Sequence, residues 1–350
     1  MNHILITGGT GYVGSHTCLI LLLSGFEITI IDSNFNSSSK VINSLINLGK
    51  MYNRNFIDRI NFFKGSILDE SLLDFIFKTS NQKSKPINSV IHFAGFKAVG
   101  ESFRNPIKYW QNNLNGSISL FKIMNLNECK NIVFSSSATV YSPGNSFPVS
   151  EEGIIAPSNP YGQNKYAIER LLQDISNSDE RWKIISLRYF NPVGAHTSGI
   201  IGEDPVGLPN NLFPFICQVA SGKLKRLNVF GNNWPTKDGT CLRDYIHVMD
   251  LSEAHKAALD LLFKMKKNFL TLNIGNGTGI SVLEVIKSFE KINNCKIPYS
   301  FVEKRKGDIP ILVADNKKAL SLLNWIPERD INQMCRDAWN WQKQNPDGYD

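Results

Sequence analysis

The stretch His3-Ile4-Leu5-Ile6-Thr7-Gly8-Gly9-Thr10-Gly11-Tyr12-Val13-Gly14 decides the fold. Its first five residues are a short apolar run suited to a buried strand. The glycines break that run, and apolar residues resume at helical spacing through Leu23. Gly25 ends this helix, and Glu27 to Ile31 is a second β-branched run closing on Asp32, so the opening segment reads as one βαβ unit. Gly8, Gly11 and Gly14 follow G-x-x-G-x-x-G directly after a strand and at the opening of a helix. Glycine there lets backbone N–H groups and a helix N-terminus approach a phosphate pair with no side chain between. A merely structural turn is the bland alternative. Asp32, ending the second strand, places a carboxylate where ribose hydroxyls would be held and a 2′-phosphate repelled, which favours NAD over NADP.

Further buried-strand candidates are Ile60–Phe63, Ser89–Phe93, Asn131–Ser135 and Lys183–Leu187. Helical patterns lie between them at Leu68–Lys78, Tyr109–Met124 and Tyr161–Ile175. This alternation predicts a parallel sheet covered on both faces. After Asn191 the rhythm changes: Pro, Gly and Asn are frequent from Pro192 to Asn211. Helical candidates follow at Leu212–Ser221, Leu251–Phe263, Val282–Ile292 and Ile331–Lys343, while Leu270–Ile274 could return to the first sheet. We expect a nucleotide-binding lobe over residues 1–190 and a smaller, interleaved lobe over residues 191–350.

At 350 residues the chain suits about two lobes, with one extended domain as the rival. Hydrophobic residues at 42% and charged residues at 20% exclude a disordered or fibrous chain. The net charge of +7 raises an anionic partner, but the basic residues are scattered and the clusters Lys264–Lys267 and Lys304–Lys306 are short. No groove-entering motif is visible, so nucleic acid is not expected. The run Cys18–Leu23 is far short of the roughly 20 residues a membrane span needs. With no secretory pattern before Gly8, a cytoplasmic location is expected. Six scattered cysteines without a Cys-x-x-Cys pair read as reduced core thiols, and no metal site is expected.

Tyr161-Gly162-Gln163-Asn164-Lys165 puts Tyr161 and Lys165 on one face at the start of a helix, with Pro160 suited to its first turn. A free tyrosine, with a pKa near 10, is a poor base at neutral pH, and an ammonium plus a positive nicotinamide would favour its phenolate. Such a pair can take a proton from an alcohol. Ser135-Ser136-Ser137 ends the preceding strand at the carboxyl edge where parallel sheets place ligands, so the Ser137 hydroxyl could bridge substrate and tyrosine. Three serines after a strand could equally be a turn.

Beyond these local readings, the chain resembles the extended short-chain dehydrogenase/reductase superfamily and, within it, the UDP-glucose 4-epimerase family. The likeness rests on Thr7–Gly14, IHFAGFKAVGES (Ile91–Ser102), FSSSATVY (Phe134–Tyr141), LRYFNPVGA (Leu187–Ala195), Gly202–Pro205, Pro209–Leu212 and RDYIHVMD (Arg243–Asp250). It implies a Rossmann-type doubly wound parallel sheet with a smaller α/β substrate lobe. It also implies reversible C4 inversion of UDP-galactose and UDP-glucose, NAD as cofactor and a homodimer. By the same resemblance Tyr161 is the acid/base, Lys165 its partner and a cofactor ligand, and Ser137 the hydroxyl on the sugar. Gly8, Gly11, Tyr12, Val13 and Gly14 would hold the cofactor, with Asp32, Ser33, Asn34, Phe35 and Asn36 at its adenosine end. Ser66, Ile67, Phe93, Lys97, Asn112 and Phe190 complete the implied cofactor set. Asn191, Asn211, Leu212, Asn228, Phe230, Arg243, Arg305 and Asp308 fall on uridine-diphosphate-sugar positions, and the planar arginine fork suits diphosphate oxygens.

Some positions depart from the family pattern. Ser66 stands where an acid is usual near adenine, which implies a weaker grip there. Ser142 replaces glycine, and Gln163 and Asn164 replace the usual residues between Tyr161 and Lys165. Leu312 stands where a bulky tyrosine excludes N-acetylated sugars, and its size lies between excluding and admitting. A 4,6-dehydratase would need an acidic pair near Ser137, and Ser137-Ala138-Thr139-Val140-Tyr141 offers no carboxylate.

Overall fold

The computed structural model describes every residue except Met1, Leu208, Asn210, Lys306 and Asp350. Its strands are β1 (His3–Thr7), β2 (Glu27–Asp32), β3 (Ile60–Lys64), β4 (Ile87–His92), β5 (Asn131–Ser137), β6 (Lys183–Tyr189), β7 (Asn191–Val193), β8 (Leu227–Phe230), β9 (Leu242–His247), β10 (Phe269–Ile274), β11 (Gly279–Ser281), β12 (Tyr299–Val302) and β13 (Ile311–Leu312). Seven of them form one sheet in the order β10-β6-β5-β4-β1-β2-β3. All its pairings are parallel.

The apolar alternation along β1 explains the layers. Ile4 and Ile6 face one core together with Ile28, Ile30, Leu19 and Leu251, while Leu5 faces the other with Val90, Ile132 and Phe134. Covered on both sides, these strands are apolar throughout. The strand order reverses between β1 and β4, and the carboxyl ends of the strands diverge there into a crevice.

The chain beyond Asn191 does not form a separate appendage. β10 lies along β6 with Leu270 beside Ile185 and Ile274 beside Tyr189. The helix Val248–Leu262 joins the same core as the first helix, Tyr12–Leu23. The remainder builds a four-stranded sheet of β11, β9, β13 and β7, and the pair β8–β12. These pack with Leu212–Ala220, Val282–Asn293 and Ile331–Gln344 around Phe213, Val229, Tyr245, Phe289 and Met334.

Element ends differ from expectation for identifiable reasons. The helix expected from Leu68 begins at Glu70, because the Asp69 carboxylate accepts the Leu72 N–H at 3.0 Å and caps it. The expected helix Tyr109–Met124 is a composite of Pro106–Tyr109, a π-helical turn over Trp110–Asn115 and Gly116–Leu126. The helices Lys40–Met51, Val99–Arg104 and Lys317–Leu323 lie outside the expected helical segments. Among the described residues no helix is long and apolar enough to cross a membrane.

Candidate active site

The glycine turn is shaped by contacts that only glycine allows. Gly8 has φ +71°, and a Cβ on it would lie 2.8 Å from the Ala94 nitrogen. A Cβ on Gly14 would run into the Gly8 carbonyl oxygen. The following helix starts after Gly11 with no side-chain cap and no acid in its first turn, so its N–H groups stay free for an anion. That arrangement fits the diphosphate of a dinucleotide. Asp32 braces the turn: one oxygen accepts from the Thr10 N–H at 3.1 Å, the other from the Asn34 N–H at 2.9 Å and the Ser37 hydroxyl at 3.0 Å.

Above the turn lies a cavity of about 360 Å³. Gly8, Gly11, Tyr12, Val13 and Gly14 line it with Asp32, Ser33, Phe35 and Asn36 at one end. Ser66, Ile67, Phe93, Lys97 and Asn112 continue the wall towards Tyr161, Lys165 and Phe190. Asn112 belongs to the π-helical turn, whose neighbour Asn113 accepts the Phe96 N–H at 2.8 Å and donates to the Phe96 carbonyl at 3.0 Å. A π-turn thus fixes the loop carrying Phe96 and Lys97.

A second cavity, about 1090 Å³, shares Ser137, Phe190, Asn191 and Asn211 with the first and adds Arg243, Arg305, Asp308 and Leu312. The Asp308 carboxylate accepts from Arg305 Nε at 2.9 Å and lies 3.9 Å from an Arg243 nitrogen. Four expected positions line neither cavity. Phe230 stands behind Arg305, whose guanidinium lies 4.6 Å from its ring centre. Asn228 is exposed on β8, and Leu212 packs against the apolar cluster of its own lobe. Asn34, at φ +54°, donates to the Thr10 hydroxyl at 2.9 Å and so supports the turn from outside.

Tyr161 and Lys165 enter from the helix Pro160–Ser178, whose N-cap Asn159 accepts the Gly162 N–H at 2.8 Å. Lys165 Nζ lies 5.9 Å from the Tyr161 ring centre and donates to the Ser135 carbonyl at 2.6 Å. Burial pushes the Tyr161 hydroxyl up to about 12, and the adjacent Ser137 hydroxyl pulls it down. Burial also lowers Lys165 to about 8, opposed by the Glu169 carboxylate. At Tyr161 burial therefore outweighs the hydrogen bond from Ser137.

Several residues at the site escaped the sequence reading. Tyr189 lines both cavities and hydrogen-bonds the Ser135 hydroxyl. Glu203 also lines both, and one of its oxygens accepts from Asn211 at 2.9 Å and Lys97 at 3.3 Å. Glu169 pairs with Arg188 at 2.6 Å beneath the serine strand. Glu169 follows Lys165 by four positions, a helical spacing that is the one local signal for it. The six cysteines are free, and no group of metal-ligating side chains occurs among the described residues.

Comparison with known proteins places this geometry in context. A family model described as GDP-mannose 4,6 dehydratase matches residues 5–338. A UDP-glucose 4-epimerase of Bacillus subtilis is 47% identical over 99% of this chain and 98% of its own length. The crystal structure of a Bifidobacterium longum UDP-glucose 4-epimerase in complex with NAD+ and UDP is 42% identical, with a TM-score of 0.92 over 99% of this chain and all of that one. A Stenotrophomonas maltophila UDP-glucose-4-epimerase, with bound NAD and formylated UDP-arabinopyranose, also gives 0.92, at 40% identity over 99% of both chains. The match to a dehydratase-named model reflects the shared scaffold, since the stretch after Ser137 carries no carboxylate. With its uncapped glycine turn, its Tyr161–Lys165 helix and relatives alike over nearly their whole length, the chain belongs to the UDP-glucose 4-epimerase family of extended short-chain dehydrogenases/reductases.

Proposed function

We propose that this chain is an NAD-dependent isomerase that interconverts UDP-galactose and UDP-glucose by inversion at C4. The observation that carries this reading is the position of Ser137: it lines both the cavity above the glycine turn and the cavity of Arg243 and Arg305, beside Tyr161. Residues 1–190 supply most of the cofactor site and residues 191–350 most of the nucleotide-sugar site.

When bound, NAD supplies a reversible two-electron acceptor. Beside the cofactor's positive nicotinamide, the Lys165 ammonium would favour the Tyr161 phenolate against burial. Tyr161 accepts the 4-hydroxyl proton as C4 becomes a ketone, while Ser137 holds the sugar oxygen. Arg243 and Arg305 retain the diphosphate as the sugar turns, so affinity for the remote nucleotide keeps the ketone in place. Tyr161 then returns the proton, and no net oxidation remains. Ser66 would offer adenine a hydroxyl in place of a carboxylate.

Exposed Ile107, Trp110 and Ile118 on the segments 106–126 suit a second copy of this chain, and sedimentation showing only monomer would remove the homodimer. Free cysteines agree with a reducing cytoplasm.

The test is incubation of purified protein with UDP-galactose and no reductant. A mixture containing UDP-glucose is expected, and none forming in the presence of NAD would overturn the reading. The same assay with UDP-N-acetylgalactosamine measures how much room Leu312 leaves.

A further inference from the structure

Asp244 is a fully buried carboxylate one residue from Arg243, yet it faces neither cavity. Alternation along β9 puts the two side chains on opposite faces of the strand. Behind β9 the hydrogen-bond donors to the carboxylate, among the described residues, are backbone N–H groups. Asn276 donates to one oxygen at 2.7 Å, and Gly277 at 3.0 Å and Ala314 at 3.1 Å donate to the other. Gly275 also passes so close that a Cβ there would lie 2.5 Å from the carboxylate. No cationic side chain pairs with Asp244 among the described residues. Burying an unpaired charge is costly, and burial accordingly raises this acid to about 6.

The donors belong to two separate segments. Asn276 and Gly277 form the turn that leaves β10, the edge strand of the large sheet. Ala314 follows β13, a strand of two residues in which Leu312 lies beside Arg243. So short a strand holds β9 weakly and is backed by the Pro310 carbonyl, which accepts the Leu242 N–H at 2.8 Å, and the Ile309 carbonyl, which accepts from Arg243 at 2.9 Å. It nevertheless ends the segment that brings Arg305, Asp308 and Leu312 to the second cavity.

We propose that Asp244 is a positioning residue for substrate binding: its carboxylate ties the segment ending in Leu312 and the turn after β10 to the strand bearing Arg243. The inference rests on reading the Arg243–Leu312 cavity as the nucleotide-sugar site. Asp244 touches no reacting atom, and its effect falls on affinity.

The test compares the wild-type protein with Asp244→Asn, which keeps the shape but points an amide NH2 at N–H donors. Loss of one or two charge-assisted hydrogen bonds should raise KM for UDP-galactose, and the Kd for UDP alone, by about tenfold. The value of kcat should stay within about threefold and the NAD content should be unchanged, because the reacting groups are untouched. A lowered melting temperature with KM and UDP affinity unchanged would overturn the proposal and leave Asp244 a purely structural acid. Where Asp244→Asn fails to fold, hydrogen exchange on the wild-type holoenzyme decides: UDP should slow the amides of Asn276, Gly277 and Ala314 together, and no slowing at these three overturns it. UDP affinity is read apart from turnover. A wild-type protein that binds UDP but does not epimerise would count against the proposed function, while the UDP data alone would decide on Asp244.

Discussion

Tyr161 combines a reactive position with an unfavourable environment. Its hydroxyl is held near 12 by burial, so the charges of Lys165 and the bound cofactor have to supply the phenolate. Replacing it with phenylalanine should lower kcat by about 10²- to 10⁴-fold, the usual range for removing a general acid/base, with NAD and UDP still bound. Turnover assays and calorimetry with UDP check this, and near-normal turnover would dismiss Tyr161. Lys165 gives a pH prediction. Its folded pKa, about 8, lies below the unfolded 10.5, so between those values the unfolded chain binds more protons and stability rises with pH. Against a Lys165→Met reference, wild-type stability should climb by about 2 kcal/mol between about pH 7.5 and 9.5, measured by urea unfolding. Parallel curves would show that the lysine is not buried as a cation. The Tyr161, Lys165 and Ser137 placements were legible in sequence because a four-residue helical spacing and a strand end are local features. Asn228 and Phe230 were not, since which face of β8 meets a cavity is decided by distant packing. Glu203 lay beyond local reading too: its partners Lys97 and Asn211 come from separate segments.

At the scale of elements, the glycine turn tolerates little change. Gly14→Ala places a methyl against the Gly8 carbonyl, so the turn must open or the helix must shift. Overpacking of this kind costs about 1–3 kcal/mol. We expect a lower melting temperature and protein purified with little NAD, measured by nucleotide release and thermal unfolding. Full cofactor content would mean that the turn yields without losing its anion site. The turn was legible because strand, glycine spacing and helix follow one another directly. The π-turn at Trp110–Asn115 was not: apolar periodicity reports that a segment is helical but is blind to one bond ring widening to bring Asn112 and Asn113 inward. The helix Lys40–Met51 was missed although Val41, Leu45 and Leu48 give it a regular buried face. Polar residues crowd the rest of it, and the Asn- and Ser-rich run before it looks like loop.

For the molecule as a whole, the important fact is that its two parts share a sheet. Residues 1–190 alone would lack β10 beside β6 and the helix Val248–Leu262 over the core of Ile4, Ile6 and Leu19. That fragment should fail to give a cooperative thermal transition by circular dichroism, and a sharp one would show that the lobes are separable. The composition allowed two lobes, and Leu270–Ile274 hinted at a return. Which edge the return would take was not in the local pattern, because the choice depends on how β6 is left uncovered. The same interleaving sets an order of events during synthesis. β6 leaves the ribosome with its outer backbone groups unpaired, and the strand that covers them follows some eighty residues later, roughly 4–16 s at 5–20 residues per second. During that interval the nascent chain exposes an open sheet edge, and a chaperone that shields extended backbone has its target there.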